Sequence, residues 1–456
     1  MPSPADSPAA PAFPDAPPSA WRVAVLADSD TRWKWGATCA RRLAPGARVD
    51  GFLLRGRATP TARQLAEAGV RAEALREVTG PGFAAAAGRD RYDVVVLACV
   101  GGGVQAMLHA LAHAWAGAPL RPVVVTGYVG VVYEKLADGL LLRHGADVLL
   151  ANSPHDVERF RAVLEGAGAD AGGVTPCALP FLDGDGYGGA PPPAEGRPYT
   201  VVFATQPSVP AGREERLYLL ERAAAHARRH PGRQVVVKLR SRPGEHTTHI
   251  EELPYQKLAA RIPGGLPANC RLAYGNMGEL LDRTDLLVTV SSTAALEALH
   301  RGIPTAVLTD LGIREALGNH HFLGSGCLAS WDQLDAGHRP QPDPGWTARQ
   351  GVTRRAARGA FDVARIRLAA LVGTRTGLPP LAPYYTAATA PGYLPGILAR
   401  YGFDPQGRPL PGRAAPAEEG SALRRAARGA LRDAARGVYR HAVQRVAPAV
   451  RRLGEL

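Results

Sequence analysis

Short apolar runs alternate with amphipathic segments along most of the 456-residue chain. The runs at 94–98, 122–126 and 148–151 are rich in β-branched residues and have the length of buried strands. Segments at 104–116 and 157–167 repeat apolar residues with a helical period. Because strands and helices alternate, we predict a parallel sheet with helices on both faces.

The alternation restarts after a stretch rich in Gly, Asp and Pro, with a strand from Tyr199, a helix at 213–229 and a strand at 234–239. We therefore predict an α/β protein with two Rossmann-like domains and a cleft between them. The predicted organisation is a disordered tail at 1–20, an N-terminal domain at 21–185, a linker at 186–198, a C-terminal domain at 199–375, a Pro/Gly-rich segment at 376–420 and a basic amphipathic helix at 421–456.

The segment 285–308 carries the strongest chemical signal. An apolar strand is followed by Ser291, Ser292 and Thr293 at the predicted start of a helix. Amides at a helix N-terminus, together with the positive end of the helix dipole, favour a phosphate. Glu297 follows one turn later, where its carboxylate would accept hydrogen bonds from a ribose. The alternative is an ordinary strand–helix unit with a hydroxyl cap.

Other polar residues follow neighbouring strands of the same predicted domain. Lys238 and Arg240 end one strand, and Thr205 and Gln206 end another. The carboxyl ends of parallel strands meet in one crevice, so these residues should lie near the hydroxyl-rich turn. Two cations there would stabilise a departing phosphate. The alternative is a pair of surface cations.

The run 291–304, with Lys238-Leu-Arg240 before it and 319–326 after it, is similar to the C-terminal half of bacterial GT-B glycosyltransferases. The resemblance extends over about 21–375 and is greatest to capsular-polysaccharide-type enzymes and to a glycosyltransferase family of unassigned substrate. It implies a nucleotide-sugar donor in the second domain, with His320 or His321 beside the leaving group. Many capsule enzymes carry Lys-Pro-His-Pro where this chain has Lys238-Leu-Arg-Ser.

The first domain offers candidates for the acceptor side. Asp28 and Asp30 follow the first strand, and either could act as general base unless it only caps the next helix; Glu134 is a second candidate base. Four further residues are placed by their positions after predicted strands on the acceptor side: Lys34, Gly102, Gly103 and Tyr128.

The net charge of +13 is concentrated in the last 36 residues, where nine arginines stand against Asp433 and Glu455. Arg428, Arg432 and Arg436 recur at four-residue spacing, so this predicted helix suits an anionic membrane surface or is an ordinary solvated helix. We expect no nucleic-acid partner, because the excess charge lies in a tail. The first 20 residues do not resemble a signal peptide, and we expect a cytoplasmic protein that is either free or peripheral on the inner face of the plasma membrane.

We therefore predict a glycosyltransferase that moves a sugar from a nucleotide-sugar donor to a cell-surface glycan or a lipid-linked acceptor. The five cysteines lack metal-ligand spacing, so no metal and no cofactor are expected, the nucleotide sugar being a substrate. Three alternatives remain: a non-hydrolysing nucleotide-sugar 2-epimerase, a glycerol- or ribitol-phosphate transferase, and a catalytically inert binding protein for an anionic ligand.

Overall fold

A seven-stranded parallel sheet forms the first lobe. The computed structural model describes residues 21–131, 135–189, 197–242, 245 and 253–411. The strands are β1 (Arg22–Ala27), β2 (Arg48–Leu54), β3 (Ala74–Val78), β4 (Val94–Ala98), β5 (Val123–Gly127), β6 (Val148–Ala151) and β7 (Val174–Pro176). Their order is β3-β2-β1-β4-β5-β6-β7, so the direction of strand addition reverses between β1 and β4. Every residue of β4 and β5 is buried, as expected for a sheet covered on both faces.

The helices of the first lobe are α1 (Asp30–Leu43), α2 (Ala62–Ala68), α3 (Gly80–Ala86), α4 (Gly101–Ala114), α5 (Leu136–Leu141) and α6 (Pro154–Gly166). Helix α1 begins after Ser29, whose hydroxyl accepts a hydrogen bond from the Arg32 amide. Gly36 lets this helix approach the sheet, because a Cβ there would lie 2.7 Å from the Cβ of Ala98. The tight packing fixes the first turn of α1 at the edge of the cleft.

The second lobe repeats this arrangement with six parallel strands. They are β8 (Tyr199–Ala204), β9 (Arg233–Lys238), β10 (Cys270–Ala273), β11 (Leu286–Thr289), β12 (Thr305–Leu308) and β13 (Leu328–Ala329), in the order β10-β9-β8-β11-β12-β13. The helices of this part of the chain are α7 (Arg213–Arg229), α8 (Tyr255–Ala259), α9 (Met277–Leu281), α10 (Ala294–Arg301), α11 (Trp331–Asp335), α12 (Pro344–Arg349) and α13 (Arg354–Ala357). Short 3₁₀ helices at Glu315–Leu317 and Asn319–Phe322 follow β12. The strand order reverses between β8 and β11. The α/β fold with two Rossmann-like units is therefore as predicted.

The chain returns to the first lobe earlier than the predicted boundary at residue 375. Helix α14 (Asp362–Gly373) packs against α1, β5 and β7, with Ala364 and Leu368 buried. After a 3₁₀ turn at Arg375–Gly377, helix α15 (Leu394–Arg400) packs on α4. Helix α14 is separate from α13, with four residues between them. Burial of apolar residues against the first sheet decides this return.

The sequence pattern did not indicate several elements, notably β3, α3, β7 and β13. Four of the five residues of β3 are exposed, and β7 and β13 have only three and two residues, so none carries a strong apolar signal. The predictions for 1–20 and 421–456 lie outside the described residues. Within the described part of the chain, no helix has both the length and the apolar character needed to cross a bilayer.

Candidate active site

A cavity of about 680 Å³ lies between the two lobes. Its first-lobe wall includes Asp30, Thr31, Lys34, Gln64, Glu67 and Phe181. Its second-lobe wall includes Thr205, Gln206, Lys238, Arg240, Ser291, Ser292, Thr293 and Glu297. All eight residues predicted to bind the nucleotide thus line one cavity, together with two of the predicted first-domain residues, Asp30 and Lys34. This volume is in the usual range for a small-molecule site.

The second-lobe wall is organised by hydrogen bonds between strand ends. The Thr205 hydroxyl donates to the carbonyl of Lys238 at 2.9 Å. The Gln206 carboxamide oxygen accepts from the Ser291 amide at 3.0 Å, and the Ser291 hydroxyl donates to the Leu317 carbonyl at 2.5 Å. These bonds join the ends of β8, β9 and β11 at the point where the strand order reverses. Thr205, Gln206 and Ser291 thus have clear structural tasks.

Lys238 is the most enclosed cation of this wall, with 7% of its surface exposed. Its ammonium donates to the Leu239 carbonyl at 2.7 Å. Burial lowers the pKa of Lys238 to about 8 against the opposing effect of Glu67. A cation held in a poorly solvated place, with hydrogen-bond capacity left, is suited to an incoming anion.

Arg240 reaches across the cleft to the first lobe. Its Nη2 donates to Asp30 Oδ1 at 3.2 Å and also to the Thr31 hydroxyl. Asp30 and Thr31 are the first two residues of α1, so the position of that helix determines this contact. The cleft is therefore bridged by an ion pair between two of the predicted site residues.

The start of α10 is less open to an anion than the sequence indicated. The amide of Ala294 is bonded to the Ser292 hydroxyl at 3.3 Å, and that of Ala295 to the Ser292 carbonyl at 2.9 Å. The amide of Leu296 is bonded to the Thr293 carbonyl at 2.9 Å. The hydroxyl-rich turn uses these amides for its own folding. The helix dipole and the side chains of Ser292 and Thr293 remain at the cavity.

Glu297 lies one turn into α10 and faces Lys34 of α1. Burial raises the pKa of Glu297 to about 7, while Lys34 and Arg301 act in the opposite direction. The Lys34 ammonium also lies 5.0 Å from the centre of the Phe181 ring. The carboxyl group therefore sits in the wall of the cavity, and about half of it is protonated at pH 7.

Asp28 lies outside this cavity. Its carboxylate accepts from the Val100 amide at 2.8 Å and from Arg32 at 3.1 Å, so it joins the ends of β1 and β4. Neither it nor Asp30 caps α1 by a side-chain hydrogen bond, because Ser29 does. Gly102 also packs against the C-terminal segment, with Ile397 as its nearest contact.

The other predicted acceptor-side residues in the described chain also do not line the cavity. A Cβ on Gly103 would lie 3.3 Å from the Tyr401 hydroxyl, which covers this end of α4. The Tyr128 ring packs on Phe160 and under the Arg143 guanidinium, 4.1 Å from the ring centre. Chain segments distant in sequence fill these places, which local patterns did not indicate. Glu134 lies outside the described residues.

The two histidines of the 3₁₀ helix Asn319–Phe322 lie beyond the cavity wall, which ends at Gly318. His321 packs between His155 of the first lobe and Trp346. Burial lowers the pKa of His321 to about 4, so the ring is neutral at physiological pH. Neither His320 nor His321 lines the cavity.

Several first-lobe residues of the wall were not indicated by the sequence, and two of them belong to α2. Gln64 and Glu67 lie on α2, and the Glu67 carbonyl accepts from the Asn276 side chain at 3.2 Å across the cleft. Arg63 of the same helix pairs with Glu245. A short helix with mixed polar residues carries no distinctive motif, so only the packing of the lobes could show this contribution.

Among the described residues, the ligand atoms of His226, His230 and Asp335 lie within 4.8 Å of one another on the second lobe, as a metal site would need. The Arg233 guanidinium can only donate, and it lies 3.2 Å from His226 Nε2. The imidazole proton is therefore on Nδ1, directed at Asp335 at 2.6 Å. A metal on Nδ1 would leave the proton on Nε2, facing Arg233. These residues fit a hydrogen-bonded chain better than a resident metal.

A family model described as "Putative glycosyltransferase (DUF6716)" matches residues 23–366. The chain belongs to this family. The match spans both sheets and every residue of the cavity wall named above. No curated protein matches the sequence.

Solved structures with a similar architecture include UDP-GlcNAc 2-epimerases and a glycosyltransferase. The epimerase from Methanocaldococcus jannaschii is 10% identical, with a TM-score of 0.47 and coverage of 76% of this chain and 99% of that chain. The enzyme from Neisseria meningitidis, bound to UDP-GlcNAc, is 11% identical, with a TM-score of 0.46 and coverage of 77% and 100%. A UDP-glucosyltransferase from Polygonum tinctorium is 12% identical, with a TM-score of 0.40 and coverage of 80% and 95%. These distant similarities assign neither reaction to this chain.

Proposed function

We propose that this member of the DUF6716 family transfers a sugar from a nucleotide-sugar donor to a hydroxyl acceptor in the cavity between its lobes. The observation that carries the proposal is the placement of Lys238 and Arg240 in the same cavity wall as the turn Ser291–Thr293, facing Asp30 of the other lobe. Family membership supports glycosyl transfer in general. That the donor is a nucleotide sugar and the acceptor a hydroxyl group is our proposal.

The donor would lie against the second lobe. Lys238 and Arg240 would bind its phosphates, and the hydroxyls of Ser292 and Thr293 would donate hydrogen bonds to phosphate oxygens. Glu297 would accept from a ribose hydroxyl. A phosphate beside a buried ammonium is stabilised more than in water, because the local dielectric constant is lower.

In the proposed step, the acceptor oxygen bonds to the anomeric carbon while the bond from that carbon to the phosphate oxygen breaks. Asp30 takes the acceptor proton, and the nucleoside phosphate leaves with the electron pair. Lys238 and Arg240 stabilise the negative charge that develops on the leaving group. Lys34 would help to hold the acceptor near α1.

The first test is a thermal-shift screen of CMP, CDP, UDP, GDP and their sugar derivatives, since a ligand that binds only the folded state raises Tm. Lys238→Met should remove the shift. Lys257→Met makes the same change at an exposed position of α8, outside the cavity wall, and should keep the shift. A nucleotide shift that both variants retain would contradict the proposed pocket.

The reaction itself is tested by incubating the donor that binds with and without candidate acceptors. Transfer yields a free nucleotide and a lengthened acceptor. Conversion of the donor alone to an epimer that still carries the nucleotide would replace transfer with epimerisation. Release of a nucleoside monophosphate together with an acceptor that has gained glycerol phosphate or ribitol phosphate would indicate the corresponding phosphate transferase. Nucleotide binding with neither turnover would indicate an inert binding protein.

We further propose that the acceptor is a cell-surface glycan or a lipid-linked glycan, met at an anionic membrane. The net charge of +7 between 421 and 456 supports this, because each arginine near an anionic surface contributes about 1 kcal/mol of attraction. The full chain should sediment with vesicles containing phosphatidylglycerol and not with neutral vesicles. A chain ending at residue 420 should lose this binding; equal sedimentation of both chains would contradict it.

A further inference from the structure

Arg240 is shared between two tasks that the proposed reaction assigns to different substrates. It stands two residues beyond Lys238, where a donor phosphate would bind, yet its guanidinium is bonded to Asp30, the proposed acceptor of the proton. The side chains of Arg240 and Asp30 are 29% and 17% exposed, so the pair is neither fully solvated nor sealed. Arg240 thus lies where it can contact both the donor phosphate and the proposed base.

A carboxylate oxygen has two acceptor sites, so one that already accepts from a guanidinium and a hydroxyl must give up a partner before it accepts a proton from a substrate. In this structure Asp30 Oδ1 accepts from Arg240 and from Thr31, whose hydroxyl lies at 3.4 Å. The Arg240 and Thr31 contacts therefore occupy Oδ1, one of the two Asp30 oxygens that could take the proton.

A phosphate group competes well for the same guanidinium. The diphosphate of a nucleotide sugar carries two negative charges against one on the Asp30 carboxylate, and its oxygens match the two parallel N–H donors of an arginine. Lys238 beside Arg240 would hold the phosphate in place during the exchange. The contact with Asp30 should therefore be lost when the donor binds.

The lobes would not need to separate for this exchange. The Asn276 side chain still donates to the Glu67 carbonyl at 3.2 Å, and Arg63 still pairs with Glu245. Gly130 of the first lobe also lies against Thr293, since a Cβ there would be 2.6 Å from the Thr293 hydroxyl. Arg240 can thus turn from one partner to the other inside a cleft held by other contacts.

We infer that Arg240 couples donor binding to acceptor activation: it holds Asp30 in the empty site and releases it when a donor phosphate takes the guanidinium. This inference rests on the proposed function. It frees Oδ1 of Asp30 in the donor complex, so donor binding favours the later deprotonation of the acceptor.

The test is a calorimetric titration with inorganic pyrophosphate, used as the phosphate probe. Asp30→Asn removes the competing charge and should bind pyrophosphate roughly threefold to tenfold more tightly than the wild type. Arg240→Gln should bind roughly tenfold more weakly. Adding Asp30→Asn to Arg240→Gln should change nothing further, since the two residues act through one contact.

Asp28→Asn is the matched control, because it removes the same charge from the same loop without touching Arg240 and should leave the affinity unchanged. Asp30→Ser provides a second variant if Asp30→Asn lowers Tm. Equal affinities of the wild type and both Asp30 variants, or weaker binding by them, would overturn the coupling. If the coupling failed in this way but Lys238→Met still abolished pyrophosphate binding, the proposed phosphate pocket would be supported without the coupling. Absence of pyrophosphate binding throughout would overturn both proposals.

Discussion

Both lobes have a reversal of strand order, but the crevice beside it is filled in the first lobe and open in the second. In each sheet the strand order reverses beside the first strand, between β1 and β4 in one and between β8 and β11 in the other. Such a reversal leaves a crevice where ligands bind in open α/β sheets. In the first lobe Asp28 bridges the strand ends and Tyr401 covers Gly103. In the second lobe Lys238 and the turn after β11 open onto the cavity. The topology thus creates a crevice in each lobe, and packing of the described residues fills the crevice of the first lobe.

Lys238→Met breaks the open site and is expected to have the largest effect. Removal of a buried ammonium that pairs with a phosphate should weaken nucleotide binding about 100-fold, because truncating one partner of such a pair leaves the other charge unpaired. Isothermal titration with the nucleotide from the thermal-shift screen measures it. A loss of less than threefold would show that Lys238 does not contact the phosphate.

Tyr401→Ala opens the closed site. We expect about 2 kcal/mol lower unfolding free energy, since the ring packs against Gly103 at the start of α4. Nucleotide affinity should not change, because the first-lobe crevice is not the proposed pocket. Urea denaturation and titration measure the two effects. Tyr393→Ala, in a tyrosine 43% exposed, is the control with a smaller loss. Altered nucleotide affinity in Tyr401→Ala alone would implicate the first-lobe crevice in binding.

Glu297→Gln measures how much the buried carboxyl group in the cavity wall lowers the free energy of unfolding. The pKa of Glu297 in the folded protein, about 7, lies above its ordinary value, so the folded state binds the extra proton and stability falls as pH rises towards 7. The glutamine variant should gain about 1 kcal/mol over the wild type at pH 8 and less at pH 5, the cavity wall being partly solvated. Thermal melts at both pH values measure it. A larger gain at pH 5 would contradict the assigned environment.

The pH dependence of nucleotide binding gives the smallest expected effect. A bound phosphate favours the protonated form of Lys238, whose pKa is about 8 in the empty site, with Glu67, Arg63, Asp30 and Arg240 facing it. Affinity should therefore be about fourfold weaker at pH 8.5 than at pH 7. Lys238→Arg is the control, because a guanidinium stays charged over this range. If the affinity of the wild type and of Lys238→Arg fell equally with pH, a group other than Lys238 would be titrating.

The sequence by itself determined the parallel sheets and the position of the polar residues at their strand ends. Strands β4, β6, β8 and β12 were predictable because a strand buried on both faces is almost wholly apolar, and helix α7 because its length and period are clear. Chain connectivity then permits only a few strand orders, so Lys238 and Ser291 could be placed near one another.

Only the tertiary structure decided which of these residues face the cavity. The contact between Arg240 and Asp30 joins residues 210 positions apart, and Tyr401 reaches α4 from the far end of the described chain. The amides after Ser292 were expected to be free, yet the turn bonds them locally. Local patterns report which face of an element is apolar, whereas the partner of a polar group depends on how distant segments pack.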